Sequence, residues 1–368
     1  MKKINFITNL DINLTSGGWG GINYNIYKEL KKFYSVDYVG PINPNHVKRQ
    51  KIYNKVLRAI GIRSDFSFFS QKRLSIISNT LQNHLKEGDY NFFFGQTCWI
   101  DYQSSRPYGV YLDADFKTYL DIFSTPHRFS KKDINRIQKK EERWLQNARD
   151  IFVGSEWAWK EMIKYYDLRE DQKNVVLTGG NIPLPKSDAY VSGYNFLFIS
   201  LNFEKKGGFI CIDVFKKIKE IEPTATLTIL GECPPKAILA LEGVQYAGFL
   251  KKTNPDDLDK FSSILSKAFL LIHPTKMDTM GAVLIEAGYF GCPSIAPKSF
   301  GVPEIVLHKK TGIIINVPFT AQDFFEHIEY LIKNREEYFK LRKCAWNYTR
   351  TKLTWENIGC TLNDKISR

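Results

Sequence analysis

His273-Pro274-Thr275-Lys276-Met277-Asp278-Thr279-Met280-Gly281-Ala282-Val283-Leu284-Ile285-Glu286-Ala287-Gly288 is the stretch on which the reading of this sequence turns. The apolar run Ala268–Ile272 leads into it and reads as a buried strand. A loop follows, then a helix that starts near Thr279 and places Asp278 at its cap. Glu286 falls about two turns further along, on roughly the same face. Peptide N–H groups of Thr279, Met280, Gly281 and Ala282 lack helical partners at such a start and suit a phosphate. The two carboxylates suit hydroxyl groups. Asp278 alone is an ordinary cap. Glu286 stands out because Val283, Leu284, Ile285 and Ala287 surround it, and a carboxylate there is costly unless it binds something.

Outward from this stretch, short apolar runs alternate with longer amphipathic ones, the pattern of parallel strands joined by helices. Strands are expected at Ile4–Thr8, Val36–Val39, Asn91–Phe94, Tyr108–Leu112, Asp150–Val153 and Asn174–Leu177. Helices are expected at Ile22–Phe33, near Ser130–Asn147 and at Glu156–Tyr166, the last capped by Ser155. Gly179–Tyr194, with its prolines and glycines, reads as a linker. Strands then resume at Phe196–Leu201, Thr226–Leu230, Val244–Tyr246, Phe269–Ile272 and Ser294–Ala296, with helices at Gly208–Ile221, Asp256–Ser266 and Gly281–Tyr289. The tail, Ala321–Lys365, reads as mostly helical. The expectation is an α/β chain with two Rossmann-like halves facing across a cleft. Ligands in such sheets sit beyond the carboxyl ends of the strands.

Two glycine-rich loops occupy that position. Ser16-Gly17-Gly18-Trp19-Gly20-Gly21 follows the first strand and precedes a helix. It permits close approach by a ligand, and it is not the GxGxxG of a dinucleotide fold. Asn202-Phe203-Glu204-Lys205-Lys206-Gly207-Gly208 repeats the arrangement with two cations that suit a diphosphate.

At 368 residues and 43% hydrophobic, the chain is long enough for two domains and too apolar for wholesale disorder. No run approaches the roughly 18 apolar residues of a membrane span. Met1–Asn9 is too short and polar for a signal peptide, so a cytoplasmic protein is expected. The six cysteines lie far apart without CxxC, and the histidines are scattered, so no metal cluster is indicated. Basic residues number 52 against 39 acidic ones, a net charge of +13 that implies anionic partners.

The second half resembles a retaining glycosyltransferase of family four, with the GT-B fold. That family carries Glu-x7-Glu followed by a Gly-Gly-x-Pro-Glu loop. This chain has Asp278-x7-Glu286, then Phe300-Gly301-Val302-Pro303-Glu304, with Thr311-Gly312 beyond. Phe203–Gly208 is similar to the family's Lys-Gly segment. Thr354-Trp355-Glu356 is similar to the start of its last helix, and Gly154-Ser155-Glu156-Trp157-Ala158 to a first-half segment. The resemblance implies an N-terminal acceptor-side domain over 1–180 and a nucleotide-sugar domain over 195–350. Residues 351–368 would then be a helix crossing back to the first domain.

It implies that Glu286 binds the nucleotide ribose and Asp278 the donor sugar hydroxyls. Lys206 and the backbone of Thr279, Met280, Gly281 and Ala282 would hold the diphosphate, with Gly17 and Gly18 closing over the donor. It implies no metal and no cofactor, only a UDP- or GDP-sugar as donor substrate. Two departures stand: Asp278 replaces a Glu, and Leu201 occupies the place of an Arg, for which Lys205 is a candidate substitute. Asp113, in Tyr111-Leu112-Asp113-Ala114-Asp115-Phe116, is the first-half candidate for contacting sugar or acceptor, against a plain reading as a helix cap.

For the acceptor, a glycan or a lipid-linked sugar is expected. Residues 1–185 carry 28 basic and 19 acidic residues, or +9, and the remainder 24 and 20, or +4. The excess centres on His46–Arg73, where Lys48, Arg49, Lys51, Lys55, Arg58, Arg63, Lys72 and Arg73 face only Asp65. Tyr53, Val56, Leu57 and Ile60 form an apolar stripe at helical spacing, with Phe66, Phe68 and Phe69 beyond. Such a helix either packs on its own domain, meets an anionic membrane surface, or meets nucleic acid. A DNA-modifying transferase and a non-catalytic sugar-nucleotide binder are the alternative functions.

Overall fold

The computed structural model describes residues 1–15, 18–44, 48–63, 68–122 and 129–368. Two compact units result. One comprises Met1–Thr15, Trp19–Leu177 and Ile358–Arg368, and the other is built on Thr178–Asn357.

The first unit runs β1 (Lys3–Ile7), α1 (Gly18–Phe33), β2 (Ser35–Val39), α2 (Lys48–Ala59), α3 (Gln71–His84), β3 (Tyr90–Phe94), β4 (Tyr108–Leu112), α4 (Phe116–Ile122), α5 (Lys131–Gln146), β5 (Asp150–Val153), α6 (Glu156–Met162) and β6 (Lys173–Val175). All its strands are parallel, in the order β2-β1-β3-β4-β5-β6. β3 and β4 are buried at every position, as strands with helices on both faces must be. Phe6 and Phe92 stack across the neighbouring strands β1 and β3, and Phe92 stacks on Phe152 of β5 across the intervening β4. Ser155 caps α6, accepting the Ala158 N–H at 3.1 Å.

The second unit runs β7 (Asn195–Ser200), α7 (Gly208–Ile221), β8 (Thr226–Gly231), α8 (Lys236–Leu239), β9 (Val244–Gly248), α9 (Pro255–Ser266), β10 (Leu270–Ile272), α10 (Ala282–Tyr289), β11 (Ser294–Pro297), α11 (Val302–Ile305), β12 (Gly312–Ile315), α12 (Ala321–Lys333) and α13 (Arg335–Lys352). A last helix, α14 (Trp355–Ile366), follows. The order β12-β11-β10-β7-β8-β9 is again parallel throughout. The chain leaves β7 in one direction and returns to its other flank at β10. That reversal opens a crevice at the carboxyl ends of β7 and β10.

Five elements lie outside the sequence expectation: α3, α4, α8, α11 and β12. The last four are too short for a period to show, and α3 buries only three aliphatic side chains, Leu74, Ile77 and Leu81. The stretch read as a linker is tied down. Gly180 N–H donates to the Tyr289 hydroxyl, and Arg342 makes a bidentate pair with Asp188.

Gly207 explains part of the second glycine loop. It precedes α7 with φ +81°, and a Cβ there would lie 2.1 Å from the Pro274 carbonyl oxygen. The glycine is needed for that backbone crossing, which sets Lys206 beside the loop that carries Asp278. Gly207→Ala is expected to cost at least about 1–3 kcal/mol. It should lower the melting temperature by several degrees in calorimetry.

Candidate active site

The second unit's crevice lies at the carboxyl side of its sheet. Ser200 and Leu201 follow β7, Gly231 ends β8, Phe249–Thr253 follow β9, and His273 follows β10. Ala282, Val283 and Glu286 of α10 close it, around a cavity of about 380 Å³. Of the residues expected to bind a donor, Gly18, Lys206, Asp278, Ala282 and Glu286 line this cavity. Lys205 is exposed, and its N–H donates to Asn202 Oδ1. Met280 and Gly281 are buried, and with Thr279 they stand outside the lining. Gly17 lies outside the described residues, and Gly18 opens α1.

α10 starts later than the sequence indicated. Its cap is Gly281, at φ +68°, and its first helical residue is Ala282. Asp278 is therefore not the helix cap. Its Oδ1 accepts the Gly281 N–H at 2.8 Å, which removes one of the four N–H groups expected for a phosphate. Ala282 and Val283, the first two helical residues, keep N–H groups that no preceding turn can accept.

Asp278 Oδ2 meets Lys206 Nζ at 2.8 Å and His273 Nε2 at 3.2 Å. Burial pushes the Asp278 carboxyl up, but the His273 hydrogen bond and the Lys206 charge outweigh it and hold it well below the ordinary aspartate range. The stability tied to this shift is present above the ordinary aspartate range and is lost as pH falls below it. Lys206 Nζ also donates to the Met277 carbonyl at 2.5 Å. An ammonium has three N–H donors, so one is left for a ligand. His273 is 1% exposed, and its Nδ1 has no partner.

Glu286 is fully buried and already satisfied. Lys252 Nζ lies 2.5 Å from its Oε2, and Asn181 N–H donates to its Oε1 at 3.0 Å. Lys252 also sits 4.8 Å from the centre of the Phe261 ring. The carboxylate among apolar neighbours thus has its partner within the chain. Sequence reasoning missed Lys252 because nothing in a Lys251-Lys252 pair marks one member as buried and joined to a residue 34 positions away. His273 had a signal, since it ends the buried strand five residues before Asp278. Leu201 is 72% exposed on the cavity wall, so the expected cation is absent from that point.

The first unit has its own cavity, of about 490 Å³, at the carboxyl ends of β1, β3 and β4. Asp113 lines it with Asn9, Gln96, Thr97 and Arg58. The helix-cap role that Asp113 was weighed against belongs to Asp115, whose Oδ1 accepts N–H groups from Lys117 at 2.8 Å and Thr118 at 3.0 Å. Beneath this cavity Glu141 is fully buried. It accepts from Thr97 Oγ1 at 2.7 Å, Tyr166 Oη at 2.6 Å and Phe116 N–H at 3.0 Å. Burial first, and the Asp115 charge second, push its carboxyl up to about 7.

Residues 184–348 match the family of glycosyl transferases group 1. A sulfoquinovosyl transferase of Arabidopsis thaliana is 26% identical over 163 residues, which are 41% of this chain and 31% of that protein. The matched stretch spans about a third of the curated relatives. Among solved structures, sucrose-phosphate synthase from Thermosynechococcus elongatus aligns over 100% of this chain and 98% of its own, with a TM-score of 0.72 at 15% identity. Anabaena Alr3699/HepE, solved in complex with UDP and glucose, aligns over 100% of both chains with a TM-score of 0.68 at 17% identity. The chain therefore has the GT-B fold, and its residues 184–348 are similar to the group 1 glycosyl transferases.

Proposed function

We propose that this chain is a retaining glycosyltransferase that moves a sugar from a nucleoside diphosphate sugar to a glycan or lipid-linked acceptor. The observation that carries the reading is the meeting of Lys206, Asp278, Glu286 and the start of α10 around one cavity. A UDP-bound protein of the same fold supports the nucleotide as ligand class.

Each group has a task in that reaction. Ala282 and Val283 N–H and the remaining Lys206 donor face the diphosphate. Asp278, held ionised, accepts from sugar hydroxyls, and Glu286 accepts from the ribose. The bond from the anomeric carbon to the phosphate oxygen breaks, and its electron pair stays on that oxygen. The acceptor hydroxyl attacks from the same side, and its proton passes to the departing phosphate. Donors prearranged on the developing charge are worth about 2.7–4 kcal/mol each. Asp113 is the first-unit group proposed to contact sugar or acceptor.

The test is a panel of UDP- and GDP-sugars with purified protein, read by release of nucleoside diphosphate. At least one donor should be hydrolysed or transferred, at a rate unchanged by EDTA, because lysine and peptide N–H supply the positive field. Tight UDP binding without turnover of any donor would turn the reading toward a non-catalytic binder, the outcome that the exposed Leu201 favours.

A further inference from the structure

From residue 48 to residue 63 the chain carries Lys48, Arg49, Lys51, Lys55, Arg58 and Arg63 and no acidic residue. Apart from the half-buried Leu57, the apolar stripe within this segment faces outward. Ile52 is 66% exposed, Val56 54% and Ile60 66%, and Tyr53 and Ile62 are also exposed. Ile52 and Val56 lie one turn apart on α2, and Ile60 and Ile62 continue the apolar edge where the helix ends. Gly61, at φ +81°, turns the chain, and Ile62 N–H reaches back to the Leu57 carbonyl at 2.9 Å. Contiguous exposed aliphatic groups beside basic ones mark an interaction surface.

The rest of the basic segment plays another part. Arg73 is buried, donating to the Phe68 carbonyl and to Asn43 Oδ1, with its guanidinium 4.2 Å from the centre of the Phe68 ring. Phe68 and Phe69 pack against the first unit's core. Phe66 lies outside the described residues. The surface is therefore α2 and its C-terminal turn.

We propose that this helix docks the chain on an anionic lipid surface, its aliphatic edge entering the headgroup boundary and its lysines and arginines meeting lipid phosphates. Charge selects this occupant. A second copy would bring the same acid-free run of lysines and arginines face to face, and a nucleic acid would leave Ile52, Val56 and Ile60 in water. Arg58 links the surface to the first unit's cavity, because it belongs to α2 and also lines that cavity beside Asp113. A docked α2 thus brings the cavity near the headgroups, where a lipid-linked acceptor would present its own.

Vesicle partition tests the docking without relying on any transfer activity. The full chain should float with vesicles of phosphatidylglycerol and phosphatidylcholine and stay behind with phosphatidylcholine alone. Lys55→Gln should weaken partition about fivefold, and added salt should weaken it further. The triple change Ile52→Ser, Val56→Ser, Ile60→Ser touches only exposed positions and should abolish flotation while the melting temperature holds. Equal binding to neutral vesicles, or flotation untouched by the serine changes, overturns the proposal. So does a concentration-dependent dimer in sedimentation velocity that the serine changes dissolve. Binding to duplex DNA that is tighter than vesicle binding and survives the serine changes also overturns it.

Discussion

Lys206→Ala is expected to lower kcat by about 10²–10³ with the active donor, while the protein stays folded. Lys206 is partly exposed, at 25% of its side chain, so its removal leaves no deep cavity. Its charge matters most when the phosphate oxygen gains electrons, which is later than the binding step. The expected signature is a fall in kcat larger than any rise in KM. Lys206→Arg should rescue only in part. The ammonium already spends two donors on Met277 O and Asp278 Oδ2, and a flat guanidinium does not reproduce three tetrahedral directions. Isothermal titration with UDP separates the two effects, since a modest loss of UDP affinity should accompany the large loss of kcat. An unchanged kcat would remove Lys206 from the transition state.

What was legible in the sequence was what the backbone period and the glycines encode. The strands that flank the crevice, β7, β8 and β10, are apolar runs bounded by turn residues, so their places followed from pattern alone. The cavity's position then followed from parallel-sheet topology, and Lys206, Asp278 and Glu286 followed from their offsets to strand ends. What stayed hidden is decided by packing in three dimensions. The true start of α10 depends on Gly281 adopting a positive φ, which lets Asp278 accept its N–H, and four candidate positions look alike before that choice. The counter-ion of Glu286 arrives from the loop after β9, across the sheet. The exposure of α2 was equally hidden, because an amphipathic period has the same form whether or not its apolar face finds a protein partner.

Lys252→Met should be the most destabilising of the substitutions considered, with a smaller direct effect on chemistry. Glu286 has no exposure, and Lys252 is the cation that meets its charge. Removing one partner of a buried pair costs about 3–5 kcal/mol, because the other charge stays buried and unmatched. For a unit of this size that corresponds to about 6–20 °C in melting temperature. Methionine keeps an unbranched apolar stem near Phe261, so lost packing contributes little. One feature distinguishes the lost charge from a lost contact. The double variant Lys252→Met, Glu286→Gln should recover most of the loss, because a neutral amide needs no counter-ion and still accepts the Asn181 N–H. That double variant should nevertheless bind UDP weakly, since the ribose hydroxyls would then face an amide in place of a carboxylate. Recovered stability with lost affinity assigns the pair its role: Lys252 holds in place, at low energetic cost, a buried carboxylate whose charge the ligand requires. If stability and UDP affinity recover together, Glu286 acts only in the core and the ribose is held elsewhere.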